Sequence, residues 1–161
     1  MVPRKSFFKL RKSNGDLQHE VVIAIRQRNI DVLESMVLER STPGGHLYQQ
    51  WMSFDEVDEL IRNDEAHDAT VEWLRSHCIS VTWSSRRKEY IRASSSISNW
   101  ERMLSTRFFE WTDTSAESSA GSAGSSTVHR SEHYSLPDDL IPHITAVLNV
   151  CEVSSPSLRF L

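Results

Sequence analysis

The run Val21-Val22-Ile23-Ala24-Ile25 holds five apolar residues, four of them β-branched, and it sets the terms for the rest of the chain. Side chains that branch at Cβ are restricted in a helix and pack well on a pleated surface, so a short run of them reads as a buried strand. A helix should follow. Asn29 stands where a cap is needed, and Ile30, Leu33, Met36 and Val37 recur at helical spacing until Thr42-Pro43-Gly44-Gly45 ends the pattern.

Ser53-Phe54-Asp55-Glu56 is a capping box, in which the serine hydroxyl accepts from the Glu56 N–H and the Glu56 carboxylate accepts from the serine N–H. It opens a short helix carrying Val57, Leu60 and Ile61. Asp64 or Asp68 starts the next helix, whose Val71, Leu74 and Cys78 share one face. Residues 79–84 and 89–93 read as a hairpin around the basic turn Ser85-Arg86-Arg87-Lys88. Ser96 or Ser98 caps a helix with Ile97, Trp100, Met103 and Leu104 inside, and residues 107–112 return as a strand. Residues 128–134 read as an edge strand. Pro137 then takes the first turn of a closing helix with Leu140, Ile141, Ile144, Val147 and Leu148.

This order, β-α-(α-α)-β-β-α-β, predicts an α+β fold: a ferredoxin-like two-layer sandwich, an antiparallel sheet with helices packed on one face. A chain of 161 residues is one domain of ordinary size. Residues 1–18, with Arg4, Lys5, Lys9, Arg11 and Lys12, read as a disordered basic tail. Residues 19–152 form the domain, interrupted by a flexible Ser/Gly loop at 114–127 that has no large apolar side chain to offset ordering entropy. Residues 153–161 read as linker.

Several chemistries are excluded. With 18 basic and 22 acidic residues the net charge is −4, which argues against nucleic acid as a partner. No run approaches the roughly 18 apolar residues of a membrane span, and the basic start is not followed by a secretory apolar run. His129, Glu132 and His133 have the H-x-x-E-H spacing of a zinc site, but a Ser/Gly loop before and Pro137 after leave no helix to bring the histidines together. No G-x-S-x-G elbow or patterned phosphate loop is present, so no catalytic residue, metal or cofactor is assigned. Cys78 and Cys151 allow at most one disulfide. The seven histidines read singly as surface or capping residues and as a set as groups that respond to pH between about 5 and 7, and the five tryptophans belong to the core except where one or two exposed ones mark a partner surface. Function therefore lies in binding.

Four segments in order resemble the activation domain of sedolisin-type serine-carboxyl peptidases, the family of kumamolisin and tripeptidyl peptidase I. They are HEVVIAIRQRNIDVLESMVLERSTPGGHLYQQWMSFDEVDELI, TVEWLRSHCISVTW, ISNWERMLSTRFFEW and HRSEHYSLPDDLIPHITAVLNV, which together run from about His19 to Val150. The resemblance implies a propeptide that chaperones and inhibits a peptidase catalytic domain, in cis or in trans, and is removed at acid pH outside the cell or in an acidic lysosomal compartment. The peptidase domain that carries the catalytic residues is not in this sequence. The alternative is a free-standing interaction module or trans-acting inhibitor. A monomer is expected. For pH response the candidates are His19, His133 and His143; for a tail directed to the peptidase cleft they are Glu152, Leu158, Arg159, Phe160 and Leu161.

Overall fold

The computed structural model of the chain describes residues 7–113 and 127–151. In chain order its elements are β1 (Phe7–Lys12), β2 (Gln18–Ile25), α1 (Ile30–Ser41), α2 (Phe54–Ile61), α3 (Asp64–Ser76), β3 (Ser80–Ser84), β4 (Tyr90–Ser96), α4 (Ile97–Met103), β5 (Phe108–Asp113), β6 (Thr127–Ser131) and β7 (Ile144–Leu148). Among the described residues these make four helices and two antiparallel sheets, the mixed α+β class that the sequence predicts. One sheet has the order β3-β4-β2-β7; its final strand is β7, where the sequence reading has a helix, while the strand expected to complete the β-α-β-β-α-β path, β5, lies in the other sheet. The other, β1-β5-β6, joins two strands that the sequence predicts, β5 and β6, to β1, which it does not.

The packing falls into two compact units. One takes the chain up to Val21, Ser94–Pro137 and everything from Val147; the other takes Val22–Ala93 and Asp138–Ala146.

In the second unit, β2 supplies buried Ile23 and Ile25, while Val22 and Ala24, which alternate with them, are half-covered. Asn29 precedes α1 in the left-handed region, and its side chain caps nothing there; its amide donates instead to the Leu60 carbonyl, 2.9 Å away. No residue of α1 is fully buried. The capping box of α2 forms as its sequence requires, with Glu56 Oε2 2.7 Å from the Ser53 N–H. For α3 the cap is Asn63, which accepts from the Ala66 N–H at 3.2 Å, and Asp64 is already helical. Its inner face is Ala66, His67, Thr70 and Leu74. The helix ends before Cys78, which is exposed at φ 56°, so Cys78 does not share the apolar face expected of it. The hairpin turn is tied by Ser85 Oγ, which accepts from the Glu89 and Tyr90 N–H groups, both at 2.9 Å.

In the first unit, Trp100, Leu104, Phe108, Val21 and Val150 are completely or almost completely buried. Here the reading of residues 1–18 as a disordered tail fails from Phe7 onward. Strand β1 pairs antiparallel with β5, Phe8 opposite Thr112 and Lys9 opposite Trp111. Its basic residues each meet a carboxylate: Lys9 with Glu132 at 3.1 Å, Arg11 with Glu110 at 2.7 Å and Lys12 with Glu101 at 3.4 Å. Lys9 also lies 3.5 Å from the centroid of the Phe109 ring.

The expected closing helix is absent as well. Residues 138–143 form turns and residues 144–148 a strand, with Ile144 and Val147 buried. Pro142 explains this, since it has no N–H to give and its ring collides with the carbonyl four residues back in a helix. The His143 and Ile144 N–H groups both turn to the Leu140 carbonyl, at 2.9 and 3.1 Å, and the β-branched run that follows extends. Val147 N–H then donates to the Tyr134 hydroxyl at 3.1 Å. The Ser/Gly stretch expected as a flexible loop lies outside the described residues except for Thr127, which begins β6.

Candidate partner surface and histidine sites

Alternation along β4 buries Ile91 and Ala93 and turns Tyr90 and Arg92 outward. The N–H of Ser85 donates to the Tyr90 carbonyl and Thr82 Oγ1 to the Arg92 carbonyl, so the hairpin register sets Trp83 across from Arg92. The Arg92 guanidinium lies 5.4 Å from the centre of the Trp83 ring. Trp83 is 48% exposed, Tyr90 43% and Val81 37%, so this outer strip presents two aromatic rings, an arginine and a valine to the outside. All five residues of β3 are exposed, at the edge of the sheet. Trp, Tyr and Arg are the residue types that carry most binding energy at protein interfaces.

A second apolar set lies on α1, the segment after it and the start of α2: Val37, Leu38, Tyr48, Trp51 and Phe54, the last 77% exposed with Arg87 5.2 Å from its ring. Of the five tryptophans, Trp100 is core, Trp73 and Trp111 are half-buried, and Trp51 and Trp83 are exposed.

The three candidate histidines have different settings. His19 is 8% exposed, its Nε2 2.8 Å from the Asn149 carbonyl oxygen and its ring in edge contact with Phe108 at 5.1 Å. Burial holds its pKa below the ordinary histidine value; Arg130 and His129 push the same way, while the Asn149 carbonyl and Glu20 oppose. His133 is exposed beside an open hollow lined also by Glu101, Arg107 and Phe109, and its carbonyl accepts from Ser131 Oγ at 3.0 Å. His143 is half-buried in the other unit, where its carbonyl accepts from the Arg26 N–H at 2.8 Å. Of these three, His19 is the buried one, its ring bonded to a backbone carbonyl.

The sequence reading passed over His67. It is 8% exposed, with Nδ1 2.9 Å from Asp68 Oδ1 and Nε2 2.9 Å from Ser84 Oγ. The signal was present, because His67, Thr70 and Leu74 stand at i, i+3 and i+7 on the inner face of α3. Asp68 belongs to a small ion-pair group in which Lys88 Nζ lies 2.9 Å from Asp64 and 3.4 Å from Asp68. Hydrogen bonds from Lys88 first, then Arg62, hold the Asp64 carboxyl below its ordinary pKa; His67 first, then Lys88, do so for Asp68.

Of the zinc-like triplet, His129 sits in β6 bonded to Ser13 Oγ at 2.9 Å, and Glu132 pairs with Lys9. Among the described residues no three His, Cys, Asp or Glu side chains are grouped to hold a metal. The tail candidates Glu152, Leu158, Arg159, Phe160 and Leu161 lie outside the described residues.

Residues 6–152 match the family described as Pro-kumamolisin, activation domain. Among curated proteins the chain is similar to Tripeptidyl-peptidase 1 of Dictyostelium discoideum, 36% identical over 56% of this chain and 15% of that protein. It is also similar to Tripeptidyl-peptidase sed4 of Aspergillus fumigatus, 25% identical over 78% of this chain and 19% of that protein. A third relative is a probable tripeptidyl-peptidase SED3 of Trichophyton verrucosum, 29% identical over 83% and 22%. The chain thus spans about a fifth of the length of the curated relatives it matches.

Proposed function

The chain belongs to the pro-kumamolisin activation-domain family, and on that premise we propose that it acts as the propeptide of a sedolisin-type serine peptidase: a folding template, and an inhibitor near neutral pH that is removed in acid. The continuous match of residues 6–152 carries this reading. Its partner is then a peptidase catalytic domain, held in cis in a precursor or met in trans, and the chain contributes no catalytic residue of its own. The outward strip of Val81, Trp83, Tyr90 and Arg92 supports the reading by offering a ready contact surface. Glu152 and the tail residues Leu158, Arg159, Phe160 and Leu161 would run toward the cleft.

Acid release has a physical basis in the groups present. Protonating a buried histidine such as His19 places a charge where water is scarce, while the ion pairs of Asp64 and Asp68 give way only at the acid end, below about pH 3.9. The test assays a mature sedolisin-type peptidase with rising amounts of the purified 161-residue chain from pH 7 to pH 4, and refolds the same peptidase with and without it. Inhibition near pH 7 that fades toward pH 4, with a higher refolding yield, is expected. A folded chain that does neither at any pH leaves the free-standing interaction module as the reading.

A further inference from the structure

His19 and Asn149 hold each other. The histidine Nε2 meets the Asn149 carbonyl, while Asn149 Nδ2 donates back to the carbonyl of Glu20, the residue after His19. A carbonyl oxygen only accepts, so Nε2 carries the proton and the neutral ring has a bare Nδ1. The backbone at this point is fixed from the other side, where Trp100 Nε1 donates to the His19 carbonyl at 2.9 Å. Asn149 sits at φ 69°, a left-handed turn that directs the chain out of β7. Immediately beyond it Val150 is fully buried, its carbonyl accepting from the Ser131 N–H at 2.7 Å, and Cys151 bridges Ser131. The last described residues of the chain are therefore fastened at two points, His19–Asn149 and Ser131–Val150.

We propose that His19 is a proton-operated clasp on this exit segment: neutral, it fastens Asn149–Cys151 to the domain, and once charged it lets that segment go. The second proton must settle on Nδ1, which faces no acceptor shown among the described residues. The charged groups around the ring are Glu20 on β2 and His129 and Arg130 on β6; α4 and β5 present only Trp100 and Phe108. Burial in a site 8% exposed disfavours the imidazolium, and Arg130 and His129 push the same way against Glu20. The Asn149 bond itself favours the charged ring, and burial outweighs it. The ring reaches water by swinging out, which breaks its bond to Asn149. In the precursor that the proposed function implies, the released segment leads directly to the peptidase, so the clasp would join acidification to exposure of the connecting chain; that last clause alone rests on the proposed function.

The experiment uses the full chain without any peptidase. Amide exchange is followed at Asn149, Val150 and Cys151 between pH 7 and pH 5 and corrected for the intrinsic pH dependence. Protection there should fall roughly tenfold or more for the natural chain and stay level in His19→Gln, which keeps an N–H donor but takes no charge. Equal falls in both chains, or no fall in the natural one, overturn the proposal. Ring NMR of the natural chain needs no variant: the Nε2–H tautomer at pH 7 and a midpoint below the ordinary histidine value of about 6.5 are expected, and an Nδ1–H tautomer or a midpoint at or above that value overturns it. Failure of peptidase inhibition would not touch either result.

Discussion

Arg92 of β4 lies over the indole of Trp83 of β3, 5.4 Å from the ring centre, on the outer face of the hairpin. Each is held there by the strand register and not by local sequence, because the neighbours Ile91 and Ala93 are buried on the opposite face. Trp83→Ser with Tyr90→Ser should therefore weaken peptidase inhibition by about tenfold or more while costing under about 1 kcal/mol of stability. Inhibition titrations and urea denaturation measure the two effects separately. A large loss of stability with inhibition intact would assign these rings to the fold.

Trp100 is fully buried and its indole N–H is bonded to the His19 carbonyl. Trp100→Ala should cost about 3–5 kcal/mol, since it opens a large cavity and leaves a carbonyl unpaired. Chemical denaturation with an unchanged slope is the measurement.

Tyr134 accepts from the Val147 N–H through its hydroxyl. Val147 is buried, so Tyr134→Phe strands a backbone donor at a cost of about 1–3 kcal/mol while leaving the ring in place. An effect within about 0.5 kcal/mol by urea denaturation would mean that the hydroxyl is not the partner of that N–H.

Stability should fall on acidification in two steps. His19 has a lowered pKa in the fold, so the unfolded chain takes up the proton first, and stability present above about pH 6.5 is lost as pH drops through the range below it. Asp64 and Asp68 are also lowered, but as acids: their contribution is present above about pH 3.9 and is lost as pH falls below that. Urea midpoints from pH 7 to pH 3 should show the upper step vanish in His19→Gln and the lower one shrink in Lys88→Met. These carboxylates are exposed, so the lower step is the smaller.

Features governed by neighbours in sequence were legible. The Ser53–Glu56 box and the α+β class needed only local rules, and both are present. What escaped depends on residues far apart. Phe7–Lys12 reads as a charged tail until Glu101, Glu110 and Glu132 are brought to Lys12, Arg11 and Lys9. Leu140, Ile141, Ile144, Val147 and Leu148 fit helical spacing on paper, and Pro142 is what decides against it. His19 could be suspected as a histidine beside a buried strand; its carbonyl partner, 130 positions away, could not.

Strand β1 also bears on how the chain survives its own synthesis. Arg11 is made 99 residues before its partner Glu110, so until that stretch has been synthesised the strand that will edge the three-stranded sheet has nothing to pair with. Phe8 and Leu10 alone would make it an adhesive edge on every nascent chain in the cell. Lys9, Arg11 and Lys12 interrupt that hydrophobic strip with positive charge, and two unfinished copies repel along it. The same cations that later lock onto carboxylates thus first act as a guard against premature partners.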